Sequence, residues 1–315
     1  MKKLLKIILI FVIVMAVILV GLWIYLKNKP AIPNHYQSEV QTGGKIEARY
    51  LADGSYETAW LEQPALQEFK KYEIAYPVNL ETTDRQYPVI VLCNGSGTPL
   101  SKYSRLARHY ASWGFIVIGT EEMYAWNGFG ADMCVSHLRR LNENKQIEEN
   151  KENIFYQKVN LSSVGIVGHS QGGVGVFNAI TEGKNKEVYK AAAALSPTNM
   201  ELAHNLEWNY DAAKIQTPIL LASGEGGGDD WVVTGDQLTA IANEISAPKV
   251  QFRRKKTAHD QMLYAADGYV TAWFLWLLQD DPQAAKAFVT PQGELLSNPL
   301  YTNQEANLNS LAFHS

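Results

Sequence analysis

The segment Val164-Gly165-Ile166-Val167-Gly168-His169-Ser170-Gln171-Gly172-Gly173 holds a serine between two glycines, in the spacing Gly168-x-Ser170-x-Gly172. An apolar run leads into it and a helical pattern leaves it, so Ser170 falls on a strand-to-helix turn. Such a turn tolerates only small neighbours. It lifts the serine hydroxyl above the sheet and aims the amino end of the next helix at the reacting centre. A serine hydroxyl is a weak nucleophile until a base takes its proton, and the base needs an acid to orient it. On this architecture the partners follow in the order serine, acid, histidine. Of the seven histidines, that order leaves His204, His259 and His314. His204 precedes every good acid candidate, and His314 is the penultimate residue of a polar tail. His259 is therefore the expected base, presented by a loop between a strand and a helical pattern. His169 is expected to pack against the turn. The acid belongs after the strand at 218–222, where Glu225, Asp229 and Asp230 compete within a glycine-rich stretch.

Attack on a carbonyl carbon puts negative charge on oxygen, which needs two preorganised N–H donors. One is expected from Gln171, directly after the nucleophile. The other is expected from Ser96, in the turn Asn94-Gly95-Ser96-Gly97-Thr98 that follows an apolar strand. Aromatic residues fall in loops on the same side, and Tyr124, Trp126 and Trp231 are the candidates for substrate contact, with Phe129, Trp208 and Tyr210 nearby in sequence.

These groups need a scaffold. Short apolar or β-branched runs occur at 72–76, 88–93, 115–119, 164–167, 191–195, 218–222 and 249–252, with helical patterns near 102–113, 133–144, 172–182, 234–245 and 265–279. That alternation predicts a largely parallel sheet with helices on both faces. Two antiparallel strands, near 45–50 and 72–76, are expected to lead into it. No repeat of 20 to 50 residues is visible.

Taken together, Tyr-Pro-Val-Ile-Val-Leu-Cys-Asn-Gly-Ser-Gly (87–97), Trp-Gly-Phe-Ile-Val-Ile (113–118), the segment 164–173 and Ala-His-Asp (258–260) resemble the dienelactone hydrolase, chlorophyllase and polyester-hydrolase branch of the α/β-hydrolases, over roughly residues 72–278. The resemblance implies an α/β-hydrolase fold with a mostly parallel eight-stranded sheet, no cofactor, and hydrolysis of carboxylic esters through an acyl-enzyme. In those families the acid is typically followed by x-[Val/Ile]-x-Pro. Asp230-Trp231-Val232-Val233-Thr234 keeps that frame apart from the proline, which favours Asp230. Thr198 stands where the polyester hydrolases usually carry a tryptophan, which argues against plastic-like polyesters. An acyltransferase or amidase at the cell envelope, or a catalytically silent binding module on the same fold, are the alternatives.

The 315 residues carry a formal net charge of -4, so no basic excess points to nucleic acid. Cys93 and Cys134 lack metal-ligand spacing, no metal site is expected, and Cys93 reads as a buried free thiol. The basic run Arg253-Arg254-Lys255-Lys256 reads as a solvated strand edge. Residues 7–26 are uninterruptedly apolar, flanked by Lys2, Lys3 and Lys6 before and Lys27 and Lys29 after. Twenty residues at about 1.5 Å each match a bilayer core of about 30 Å. This predicts one transmembrane signal-anchor helix with the catalytic part on the extracytoplasmic side of the cell membrane; secretion after signal cleavage is the alternative. The expected organisation is an anchor at 1–30, a tether at 31–44, the hydrolase domain at 45–282 and a C-terminal tail at 283–315.

Overall fold

The computed structural model describes residues 2–148, 151–289, 293–309 and 311. The chain begins with helices α1 (Lys2–Asn28), α2 (Tyr36–Glu39) and α3 (Lys45–Leu51), then strands β1 (Thr58–Pro64), β2 (Lys71–Pro77) and β3 (Tyr87–Cys93). Next come α4 (Ser104–Ser112), β4 (Ile116–Thr120), α5 (Phe129–Glu143), a hairpin of β5 (Gln146–Glu148) and β6 (Lys151–Glu152), then β7 (Val159–His169) and α6 (Gln171–Thr181). The remainder is β8 (Tyr189–Leu195), α7 (Met200–Asn205), β9 (Ile219–Gly224), α8 (Gly235–Glu244), β10 (Lys249–Arg254), α9 (Met262–Ala265), α10 (Asp267–Gln279), α11 (Pro282–Ala285), α12 (Glu294–Ser297) and β11 (Tyr301–Asn307).

The sheet has nine strands in the order β1-β2-β4-β3-β7-β8-β9-β10-β11. Strands β4 through β10 in that order run parallel, and antiparallel strands close both edges. All seven residues of β3 are buried, as a strand covered on both faces requires. One layer holds α3, α4 and α10 around Tyr110, Trp273 and Phe274; the other holds α5, α6 and α8 around Phe155, Phe177 and Ile241. Four consecutive alanines in β8, 191–194, leave room for the bulky α10, whose Trp273 Nε1 donates to Ala192 O at 3.0 Å.

Several expectations change. The sheet is nine-stranded and mixed because β1 and β11 add to the strands expected from the apolar runs. The segment near 45–50 is helix, not strand: it buries Glu47, Tyr50 and Leu51, a helical spacing that short alternation conceals. Residues 31–44 are no loose tether, since Ile32 and Tyr36 are fully buried. Nor is 283–315 a simple tail, for it supplies α12 and the edge strand β11; His314 lies outside the described residues. Arg253 and Arg254 are structural rather than solvated. Arg253 Nε donates to Ser223 Oγ at 3.0 Å, and Arg254 is buried against Glu47. Cys93 and Cys134 are free and buried.

The apolar N-terminal run is helical throughout α1, and its described side chains from Phe11 to Tyr25 are exposed. Among the described residues, no helix is long and apolar enough to cross a membrane. Those fifteen consecutive side chains cover only about 22 Å at 1.5 Å per residue. The expected span is thus not carried by the described residues, and the side chains of Ile7, Leu9, Ile10 and Leu26 lie outside them.

One buried cluster joins both ends of the folded domain. Glu47 Oε1 accepts from Arg254 Nη1 at 2.9 Å and from the Tyr301 hydroxyl, while Oε2 accepts from Asn298 Nδ2 at 2.8 Å and Gly43 N at 2.7 Å. The carboxylate of Glu294 caps the first turn of α3 through Ile46 N and Glu47 N. Removing one partner of a buried ion pair strands the other charge. Glu47→Ala should cost about 3–5 kcal/mol in denaturant unfolding, and a loss below about 1 kcal/mol would show that water or rearrangement replaces the pair.

Candidate active site

Ser170 sits between β7 and α6 with φ 59° and ψ -124°, a strained conformation for a residue with a side chain. Two backbone bonds hold it there: Ser170 N donates to Leu195 O at 2.9 Å, and Gly173 N donates to Ser170 O at 2.9 Å. A Cβ at Gly172 would collide with the carbonyls of Cys93 and Asn94, so glycine is what lets the helix start touch the end of β3. The sequence motif is therefore a packing requirement as well as a turn signal.

The structure brings His259 to Asp229, not to Asp230. His259 Nδ1–H donates to Asp229 Oδ1 at 2.6 Å. The other oxygen of Asp229 accepts from Ser196 Oγ at 2.5 Å and from Gly224 N at 2.6 Å. Asp229 is fully buried, whereas Asp230 is exposed and accepts from Gly228 N at 2.9 Å. Glu225 is exposed as well and accepts from Thr302 Oγ1. The family frame misplaces the acid because Val232 and Val233 both enter the core while Trp231 turns outward at 64% exposure. Two adjacent aliphatics cannot fix the register.

The glycine run before Asp229 packs against the histidine loop. Gly226 N donates to Thr257 O at 2.7 Å, and His259 N donates to Gly227 O at 2.9 Å. Gly228 adopts φ +96°, and a Cβ there would lie 2.5 Å from His259 Cβ. Acid loop and base loop are thus one unit. Ser196, at φ 43° and fully buried, is the residue that sequence reasoning missed. Its only sequence signal was its place before Pro197 at the end of β8.

His169 does pack rather than react. Its Nε2–H donates to the carbonyl of His259 at 2.7 Å, and the two rings lie 4.5 Å apart. Burial, followed by the neighbouring His259, pushes the His169 imidazole down to about 3. Neutral over the working range, it serves as a fixed donor that locates the His259 backbone. No hydrogen bond joins Ser170 Oγ to His259 among the described contacts; such bonds commonly close only when substrate binds.

Around the turn after β3, Gly95 N donates to the Tyr103 hydroxyl, Gly97 N to Met123 O and Thr98 N to Gly95 O. Ser96 N–H, between them, is given no acceptor among the described residues. Gln171 N–H opens α6 and so has no intrahelical partner, while the buried side chain accepts from Ala125 N at 3.0 Å. Among the described residues, neither Ser96 N–H nor Gln171 N–H has a backbone acceptor outside its own helix or strand. Tyr124 is 66% exposed and Trp231 64%. Trp126 is half-buried, and its carbonyl accepts from Asn178 Nδ2 at 2.8 Å.

The two adjacent acids separate cleanly by substitution. Asp229→Asn should lower kcat roughly a thousandfold or more, and Asp230→Asn should change it less than about threefold. Ser196→Ala, which removes one bond from a buried carboxylate, should cost about tenfold in kcat with KM nearly unchanged. A larger drop for Asp230→Asn than for Asp229→Asn would overturn the assignment.

Residues 52–201, just under half of the chain, match the family model described as Chlorophyllase. The match includes Ser96, Ser170 and Gln171 and ends before Asp229 and His259, whose pairing rests on geometry alone. No curated protein matches the chain at a significant level. The parallel sheet with helices on both faces and the serine at a strand-to-helix elbow have the architecture of the α/β-hydrolases, and over residues 52–201 the chain is similar to the Chlorophyllase family of that superfamily.

Proposed function

We propose that the protein is an exported, membrane-anchored serine hydrolase that cleaves carboxylic esters through an acyl-serine intermediate. The single observation that carries this reading is the buried Asp229 holding the imidazole of His259, whose ring lies 4.5 Å from that of His169, the residue before the strained elbow of Ser170. His259 Nε2 takes the proton as Ser170 Oγ attacks the ester carbonyl. Asp229 fixes the tautomer and stabilises the imidazolium. Ser96 N–H and Gln171 N–H receive the developing oxyanion. Collapse expels the alcohol, which carries away the proton from His259. Water then repeats the sequence on the acyl-enzyme, with His259 as base, and releases the acid. The family match supports an ester as substrate.

Among the described residues no group of three or more histidine, cysteine, aspartate or glutamate side chains could hold a metal ion. The membrane part of the proposal rests on the flanking lysines and apolar run of the sequence and on the exposed apolar side chains of α1. Those side chains are costly in water and gain about 25 cal/mol per Å² of apolar surface removed from it. Secretion after cleavage of this segment is the competing outcome.

Turnover of p-nitrophenyl esters of graded acyl length should fall roughly a thousandfold or more in Ser170→Ala, with folding intact by circular dichroism. Activity of that variant within about tenfold of the unaltered chain would remove Ser170 as the nucleophile. The unaltered chain should sediment with membranes and keep its initiating sequence. Recovery in the soluble fraction with a new N-terminus would establish cleavage instead.

A further inference from the structure

The root of α1 is clamped to the active-site edge with almost no slack. Lys102 Nζ donates to Lys29 O at 3.0 Å, Ala31 N donates to Lys102 O at 3.1 Å, and Arg105 Nε donates to Asn34 O at 3.1 Å. Ile32 and Tyr36 then enter the core. From Asn28, the last residue of α1, to the first clamped residue the chain has no more than about 4 Å of freedom. Lys102 belongs to the turn after β3, and β3 lies directly beside β7, the strand that carries Ser170. Strands in the parallel part of the sheet share one carboxyl edge, so the apolar helix is rooted on the edge that holds the nucleophile.

The same edge carries exposed aromatics on either side of Ser170. Met123 and Tyr124 follow β4, two strands to one side of β7, and Trp231 follows β9, two strands to the other. At about 4.8 Å per strand, these loops arise about 10 Å to each side of the nucleophile strand. Tyr124 and Trp231 are 66% and 64% exposed, and such amphipathic rings belong at a boundary between water and hydrocarbon.

We infer that this edge docks on the surface of a lipid bilayer, with Tyr124 and Trp231 set into the interfacial layer on either side of Ser170. The inference rests on the membrane reading of α1 proposed above. Given that reading, a helix held in the bilayer cannot release the domain into solution, because the clamp at Lys102 holds the active-site edge within a few ångströms of the helix root. An ester dissolved in the bilayer then reaches Ser170 laterally, and the exposed rings lose apolar surface to the lipid instead of to a partner protein.

Full-length protein carrying Tyr124→Cys, Trp231→Cys or, at the opposite edge before β8, Glu187→Cys is labelled with an environment-sensitive fluorophore; Cys93 and Cys134 are buried and spared. Each is placed in phosphatidylcholine vesicles with and without lipids bearing a shallow nitroxide. Labels at positions 124 and 231 should be quenched at least about twofold more than the label at 187 and should emit further to the blue. Protein that fails to float with the vesicles refutes the anchor and the docking with it. Floating protein quenched equally at all three positions refutes docking while the anchor stands. Protection that grows with protein density but ignores the nitroxide would assign the edge to a second copy of the chain and overturn the inference.

Discussion

The carboxylate of Asp229 is the point on which the site depends. It is fully buried, and its three partners come from three different places: Ser196 at the end of β8, Gly224 at the end of β9 and His259 beyond β10. A buried anion is tolerable only when such bonds replace its water. Consequently the ends of three neighbouring strands must keep their relative heights to within a few tenths of an ångström. That constraint explains the odd features nearby. Gly226 and Gly228 let the acid loop lie against the histidine loop, and Ser196 accepts a left-handed backbone to aim its hydroxyl.

A second constraint acts at the elbow. Gly172 allows α6 to abut Cys93 and Asn94, which brings the turn holding Ser96 alongside the turn holding Gln171. Asn94 then ties its own loop to the next one, its Nδ2 donating to Thr120 O at 2.7 Å and to Glu122 O at 2.9 Å. Through Gly97 N and Met123 O the same loop reaches the exposed Tyr124. The turn of Ser96, the loop of Tyr124 and the clamp at Lys102 thus form one continuous structure beside the elbow of Ser170.

Much of this was legible in the sequence, because it depends on local rules. A strand, a G-x-S-x-G turn and a helix are contiguous, so Ser170 and Gln171 could be read directly, and the order along the chain isolated His259. The central strands also fell where continuous apolar runs put them, β3 and β8 among them. What failed was non-local. Whether Asp229 or Asp230 turns inward depends on how Val232 and Val233 seat in the core and on the backbone of Thr257, distant in sequence. Helix α3 was misread because Glu47 is held by Arg254, Asn298 and Tyr301, more than 200 residues away. The edge strand β11 was missed for a related reason: every second residue of 302–307 is exposed, and only pairing with β10 gives the segment its form.

The most direct test of the central claim is the mass of the protein after reaction with a fluorophosphonate, followed by peptide mapping. If Ser170 is activated by the His259 and Asp229 pair, one adduct forms per chain, it maps to Ser170, and its rate of formation drops sharply in both His259→Ala and Asp229→Asn. A chain that stays unmodified, or one in which Ser170 reacts equally fast without His259, would contradict the account.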